Sequence, residues 1–171
     1  MMLDKAHILP TDQEFIAFQK LILEKIGIFL PLSKKALLMN RLWKRLNAHQ
    51  FNSYHDYYCF IVSKKGVQEL NLALDLMTTN ETYFFREQKH FDYMADTILP
   101  KFKPHDTLRV WSAAASTGEE PYSIAMLLAE RCVAHWDLLC SDVNSQVIEH
   151  AKIGIYPSLR TQHIPEHYLR R

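Results

Sequence analysis

Apolar residues recur at every third or fourth position over the first part of the chain, and this spacing predicts a run of amphipathic helices. Phe15, Phe18, Ile22 and Ile26 mark a first helix over about residues 12–26, with Gly27 as its candidate terminator. Pro31 and Ser33 signal a restart. With Ser33 as N-cap, a second helix through Ala48 carries Leu38, Leu42, Trp43 and Leu46 along one stripe. Asn52 and Ser53 cap a third, rich in aromatic residues (Tyr54, Tyr57, Tyr58, Phe60), and Gly66 separates it from a fourth with Leu70, Leu74 and Met77. These elements predict a small helical bundle as a domain over residues 1–79. Residues 80–104 read as a linker ending in a connecting helix, Gln88 to Leu99, with Phe91, Met94, Ala95 and Ile98 on one side. Pro100 and Pro104 are expected to stop that helix.

Beyond Pro104 the pattern becomes strand, helix, strand, helix: Thr107 to Ala113, Pro121 to Cys132, Trp136 to Ser141, Ser145 to Lys152. Alternation of this kind is the signature of βαβ units on a parallel sheet, and it sets a third region over residues 105–171. Two strands are fewer than a doubly wound sheet needs. The sheet is therefore expected to be incomplete and the chain to be a fragment.

Composition narrows the class. A chain of 171 residues, 48% hydrophobic and 23% charged, can bury a core and does not have the composition of a disordered segment. A net charge of +1 argues against duplex nucleic acid as a bulk electrostatic partner. The three cysteines, Cys59, Cys132 and Cys140, lack C-x-x-C spacing, which fits a reducing compartment and hence a cytoplasmic address. No apolar run approaches bilayer length, so membrane insertion is not expected, and M-M-L-D-K-A-H lacks the apolar core of a signal peptide. Cys132 and Cys140 are expected to fill core. His163 and His167 are four apart, but Pro165 lies between them and no H-E-x-x-H accompanies them, so no metal site is expected.

The chemistry concentrates in W-S-A-A-A-S-T-G-E-E-P-Y-S, residues 111–123, between the first strand and its helix. Nucleotide-binding α/β folds place a glycine-rich turn there. Here one glycine, Gly118, precedes two carboxylates, Glu119 and Glu120, and Pro121 belongs in the first helical turn. One reading is structural: Thr117-x-x-Glu120 matches a capping box. The other looks to Asp142, directly after the second strand and about twenty residues further on, where nucleoside-binding units keep an acid for ribose hydroxyls. Acids that would repel a pyrophosphate suit a cationic, phosphate-free adenosyl ligand, and S-adenosylmethionine has that chemistry. The T-T-N-E-T-Y-F-F-R-E stretch, residues 78–87, is likewise open to two readings: aromatic packing with Asn80 and Thr82 capping the next helix, or ligand contact.

Residues 109–125 and 78–87, with S-D-V-N-S-Q-V-I-E-H-A-K-I-G-I-Y at 141–156, closely resemble the CheR-type chemotaxis receptor methyltransferases, protein-glutamate O-methyltransferases. The resemblance implies an α + α/β fold: an N-terminal helical bundle that binds the receptor, then the first part of a Rossmann-like S-adenosylmethionine-dependent methyltransferase domain. It implies that Asn80, Thr82, Arg86, Glu120 and Asp142 contact the cofactor, with Arg86 also the candidate catalytic residue, and that S-adenosylhomocysteine is the product. The implied partners are the cytoplasmic helices of methyl-accepting receptors, whose glutamates become methyl esters. On the second helix Lys34, Arg41, Lys44 and Arg45 fall opposite the apolar stripe, and the resemblance makes Arg41, Lys44 and Arg45 candidate receptor contacts. The family's later R-N-V-x-I-Y-F-like motif does not occur here. The chain alone is accordingly expected to be inactive, to bind cofactor weakly or not at all, and to be able to self-associate through uncovered strand faces. The alternative is a non-catalytic module that binds receptor helices through the basic face.

Overall fold

The computed structural model describes residues 9–169, which fall in two compact units divided between Thr79 and Asn80. The stretch M-M-L-D-K-A-H and the closing pair Arg170 and Arg171 lie outside the described residues.

The first unit is all helical. Helix α1, Asp12–Ile26, opens on a capping box: Thr11 accepts from the Glu14 amide, and the Glu14 carboxylate accepts from the Thr11 amide at 2.7 Å. It closes on Gly27 in the left-handed conformation, φ +73°. Helix α2, Lys35–Ala48, does not start on a Ser33 cap. A 3-10 turn, Leu32–Lys34, runs straight into it from Pro31, and no side-chain cap bond forms. The Lys35 amide bonds Leu32 O, so the orphan donors that Ser33 was expected to serve lie one turn earlier. Helix α3, Tyr54–Ile61, is capped by Ser53, and helix α4 spans Val67–Asp75. Met77, expected on α4, lies beyond its end yet is buried. The core is Phe15, Phe18, Ile22, Leu38, Leu42, Leu46, Tyr54, Tyr57 and Ile61. Trp43, expected on the apolar stripe, is only half-buried.

The second unit begins with residues 80–104, and these are not a free linker: Phe84, Phe85, Phe91 and Leu99 share one core with Leu108, Ile124, Leu127 and Leu128. Helix α5, Gln88–Tyr93, continues as a π turn, Met94–Ile98, and a 3-10 turn, Leu99–Lys101. Pro100 therefore does not stop the helix before it. It sits in the first positions of the 3-10 turn, where its missing N–H removes no bond.

Strands β1, Thr107–Ala113, and β2, His135–Ser141, pair in parallel from Thr107↔His135 to Ala113↔Ser141. Helix α6, Glu119–Arg131, crosses between them; helix α7, Ser145–Ile153, follows β2 from an Asn144 cap, and a short helix α8 spans Glu166–Leu169. This is the crossover that parallel pairing demands. Leu108, Val110, Trp136 and Leu138 face the core. The opposite face is open, with Trp111 at 66% and Leu139 at 63% exposure, directly opposite one another in the register. Cys132 packs at the core's margin, whereas Cys140 is exposed as a residue, its side chain at the edge of the space between β2, α6 and α7.

Candidate functional site

The turn between β1 and α6 is built largely from backbone. Ala114 and Ala115 both donate to Ser141 O at 2.8 Å, carrying the strand pairing one step past β1. Ala114, Ser116 and Gly118 take positive φ values of 74°, 49° and 101°. Two of these three carry side chains, which rarely adopt that conformation, and surrounding contacts must hold it.

Asp142 is one such contact. Its Oδ2 accepts from the Ser116 amide at 2.8 Å and its Oδ1 from the Asn144 amide at 2.9 Å. Each carboxylate oxygen thus spends one acceptor site on the backbone and keeps another free. Glu120 is exposed, and its Oε1 accepts from the buried Ser112 hydroxyl at 2.7 Å. Ser112 pairs with Cys140 in the register, and the Cys140 thiol is pushed up first by burial and then by the Glu120 charge. Both acids therefore stand at the carboxyl end of the two strands, one tied to β1 and the other directly after β2.

The T-N-x-T-x-F-F-R loop is pinned to the same turn. Ser116 Oγ donates to Asn80 O at 3.5 Å, and the Phe85 amide donates to Ser123 Oγ on α6 at 2.9 Å. Asn80 is exposed and Thr82 half-buried. Arg86 is exposed, with its Nη1 on Glu81 O at 2.7 Å. Asn80 and Thr82 do not cap the following helix, because α5 starts after Glu87 in a left-handed conformation with no side-chain cap bond.

Nor does Thr117-x-x-Glu120 form a capping box. The α6 cap is Gly118, and Thr117 Oγ1 instead donates to Glu119 Oε2 at 2.6 Å. Glu119 is 0% exposed and pairs with Arg160. The sequence names Glu119 only as the neighbour of Glu120, without a separate role, and does not mark Arg160 at all. Adjacent carboxylates at a helix start point roughly 100° apart, so one facing inward was a readable signal for Glu119. Arg160, forty-one positions away, offered none.

On the helical unit, Lys34 and Lys44 are exposed, but two members of the expected free basic face are engaged. Arg41 Nη1 donates to Thr78 O at 3.0 Å, and Arg45 Nε donates to the buried Glu69 at 2.8 Å. A guanidinium stem is long enough to reach round the helix to a buried carboxylate, which a wheel projection does not show. A cavity of about 300 Å³ between α6, β2 and α7, lined by Pro121, Tyr122, Ala125, Leu138, Cys140 and Ile148, is apolar and takes no part in the acid-bearing turn. Among the described residues no group of three or more His, Cys, Asp or Glu is arranged to hold a metal ion.

Comparison with known proteins supplies the family. Residues 13–78 match the CheR methyltransferase all-alpha domain, and residues 80–171 match the CheR methyltransferase SAM binding domain, whose cofactor is S-adenosylmethionine. The chain is 36% identical to a chemotaxis protein methyltransferase of Borreliella burgdorferi over 92% of its own length and 59% of the relative's. It is 37% identical to chemotaxis protein methyltransferase 2 of Pseudomonas aeruginosa (91% and 56%), and 36% identical to the chemotaxis protein methyltransferase of Escherichia coli (94% and 56%). The chain thus spans somewhat more than half the length of these relatives. With both domain matches in order along one chain, and with the acid-bearing βαβ turn inside the second, the chain belongs to the CheR methyltransferase family.

Proposed function

We propose that this chain carries the cofactor site and the receptor-contacting helical domain of an S-adenosylmethionine-dependent methyltransferase that esterifies glutamate side chains on cytoplasmic helices of chemotaxis receptors. The observation that carries this reading is Asp142, oriented by two backbone amides at the carboxyl end of β2 with acceptor capacity to spare. The donor set fits the cofactor. Asp142 would accept from adenosyl hydroxyls, while Glu120, held by Ser112, together with Asn80 and Thr82, would meet its remaining polar groups. A pyrophosphate would be repelled by the same acids.

When bound, the cofactor supplies an electrophilic methyl group. A glutamate carboxylate is already a nucleophile at neutral pH, so the residues need only bind, orient and exclude water. Arg86 is the group suited to grip a carboxylate, either the methionine carboxylate or the incoming glutamate. Receptor contact would rest on Lys44 and on the outer side of Arg41 more than on Arg45, which Glu69 holds. That engagement also weakens the alternative of a non-catalytic module docking through the basic face. A cytoplasmic address belongs to the same proposal. No helix among the described residues is long and apolar enough to cross a membrane.

The test is methyl-ester formation on a receptor cytoplasmic fragment, read as base-labile methanol, with the longest protein that carries this sequence. Arg86→Ala is expected to slow it at least about a hundredfold. Equal rates would remove Arg86 from the site, and no ester with the unsubstituted protein would end the functional reading. Calorimetric titration of the 171-residue chain itself is expected to show weak binding or none. Micromolar affinity would show that these residues alone suffice.

A further inference from the structure

The segment that follows α7 contributes no residue to the cofactor contacts described above, yet it grips the motif turn from behind. Gly154 ends the helix at φ +65°, and the next residues return to the turn. The Tyr156 hydroxyl donates to Thr117 O at 2.6 Å, and Arg160 Nη2 donates to Thr117 Oγ1 at 3.2 Å and to Glu119. The Tyr156 ring also meets Phe84 edge-on at 4.9 Å, so one segment touches both the acid-bearing turn and the T-N-x-T-x-F-F-R loop.

Two features of this arrangement need a reason. A carboxylate at 0% exposure is costly to keep ionised, and a buried pair of this kind is weak evidence for stability by itself. Glu119 also stands beside Glu120, so the first turn of α6 carries two like charges, one of which the positive end of the helix must share with the ligand-facing acid. Arg160 answers both. It neutralises the inward acid, leaving the outward one as the exposed charge, and through Thr117 it fixes the residue between Ser116 and Gly118, the two left-handed positions that aim the turn at Asp142. The Tyr156 hydroxyl is pushed up by burial and then by the Glu119 charge, which keeps it a donor to Thr117 O at any ordinary pH.

We infer that Arg160 is a positioning residue for the cofactor turn, acting through Glu119 and Thr117 rather than by touching the ligand. The inference rests on the cofactor reading of that turn. It predicts that losing the guanidinium loosens the turn and weakens cofactor binding out of proportion to any loss of overall stability.

The test uses the longest protein that carries this sequence, unsubstituted and as Arg160→Gln and Arg160→Lys. Exchange of the Ser116 amide is measured without ligand, and S-adenosylhomocysteine is titrated while the Ser116 and Gly118 amide resonances are followed. Arg160→Gln is expected to speed Ser116 exchange and raise the dissociation constant about tenfold or more, the scale of one charge-assisted hydrogen bond. Arg160→Lys, which keeps the charge opposite Glu119, is expected to recover most of both. A merely structural role would lower the melting temperature of both variants alike and leave Ser116 exchange and affinity unchanged, and that result overturns the inference. If the unsubstituted protein shows no response to the ligand, the cofactor reading fails. Ser116 exchange then still decides the inference: protection lost in Arg160→Gln and restored in Arg160→Lys upholds the hold on the turn, and unchanged protection rejects it.

Discussion

Asp142 Oδ2 accepts the amide of Ser116 at 2.8 Å, across the gap between the turn after β1 and the end of β2. Its other oxygen holds the Asn144 amide at the start of α7, so one side chain ties two site loops together. Asparagine is no conservative replacement here, because its amide group would set a donor against one of two backbone donors. Asp142→Asn is therefore expected to weaken cofactor binding about as much as Asp142→Ala, each by at least about tenfold. Titration of both variants checks this. An asparagine variant with native affinity would show that the two backbone bonds do not orient the site.

Gly118 and Gly27 make a matched comparison. Both hold positive φ, at +101° and +73°, but a Cβ at Gly118 would lie 2.4 Å from the Tyr156 hydroxyl and 3.0 Å from Ala151 Cβ, whereas one at Gly27 would meet nothing within 4 Å. Gly27→Ala adds backbone strain alone, about 1 kcal/mol. Gly118→Ala adds the same strain plus displacement of Tyr156 from Thr117, and about 2–3 kcal/mol is expected. Urea unfolding followed by amide-exchange mass spectrometry, which reads the two units separately, measures each.

Much of this architecture is legible before any coordinates, and the parts that are not share a cause. Thr107 to Ala113 reads as a strand from the short run Leu108, Arg109, Val110 and Trp111, and β1 spans those residues. Gly27 and Ser53 were readable as helix boundaries because left-handed and capping chemistry are properties of one residue. The positions of Glu120 and Asp142 at strand ends followed from the same local pattern. What could not be read depends on partners distant in the sequence. Ser33 loses its capping role to a turn set by Pro31, and Arg45 looks like a free cation until Glu69 is placed beside it. Glu119 looks equivalent to Glu120 until Arg160 returns to it. Cys140 has apolar neighbours in sequence, but burial depends on which elements cover the strand.

Trp111 and Leu139 sit side by side on the open face of the sheet, flanked by Arg109 and Asp137, which also pair in the register. A two-fold contact between copies would bury both apolar side chains and set each Arg109 against the partner copy's acid, so the patch is self-complementary. The 171-residue chain is expected to sediment faster as its concentration rises, and Trp111→Glu is expected to abolish that dependence. Concentration-independent sedimentation of the unsubstituted chain would show that this face does not associate.

The helical unit carries a titration of its own. Burial by itself would raise the Glu69 pKa, but hydrogen bonds from Arg45, Tyr57 and His49 outweigh it and hold the carboxyl at about 2, against an ordinary 4.5. Tyr57 is raised first by burial and then by its bond to Glu69, so the phenol remains a donor throughout. Because the folded-state pKa lies below the unfolded one, the contribution is complete above about pH 4.5 and disappears as pH falls toward 2. It amounts to about 3 kcal/mol at most. Urea midpoints of the helical unit between pH 6 and 3 should therefore fall in the unsubstituted protein. Glu69→Gln should start lower and lose less over the same interval, since glutamine can accept from Arg45 or Tyr57 but carries no proton-linked charge. If the two proteins show parallel pH profiles, the acid sensitivity of this unit lies in other carboxylates, and Glu69 is held by geometry without contributing to it.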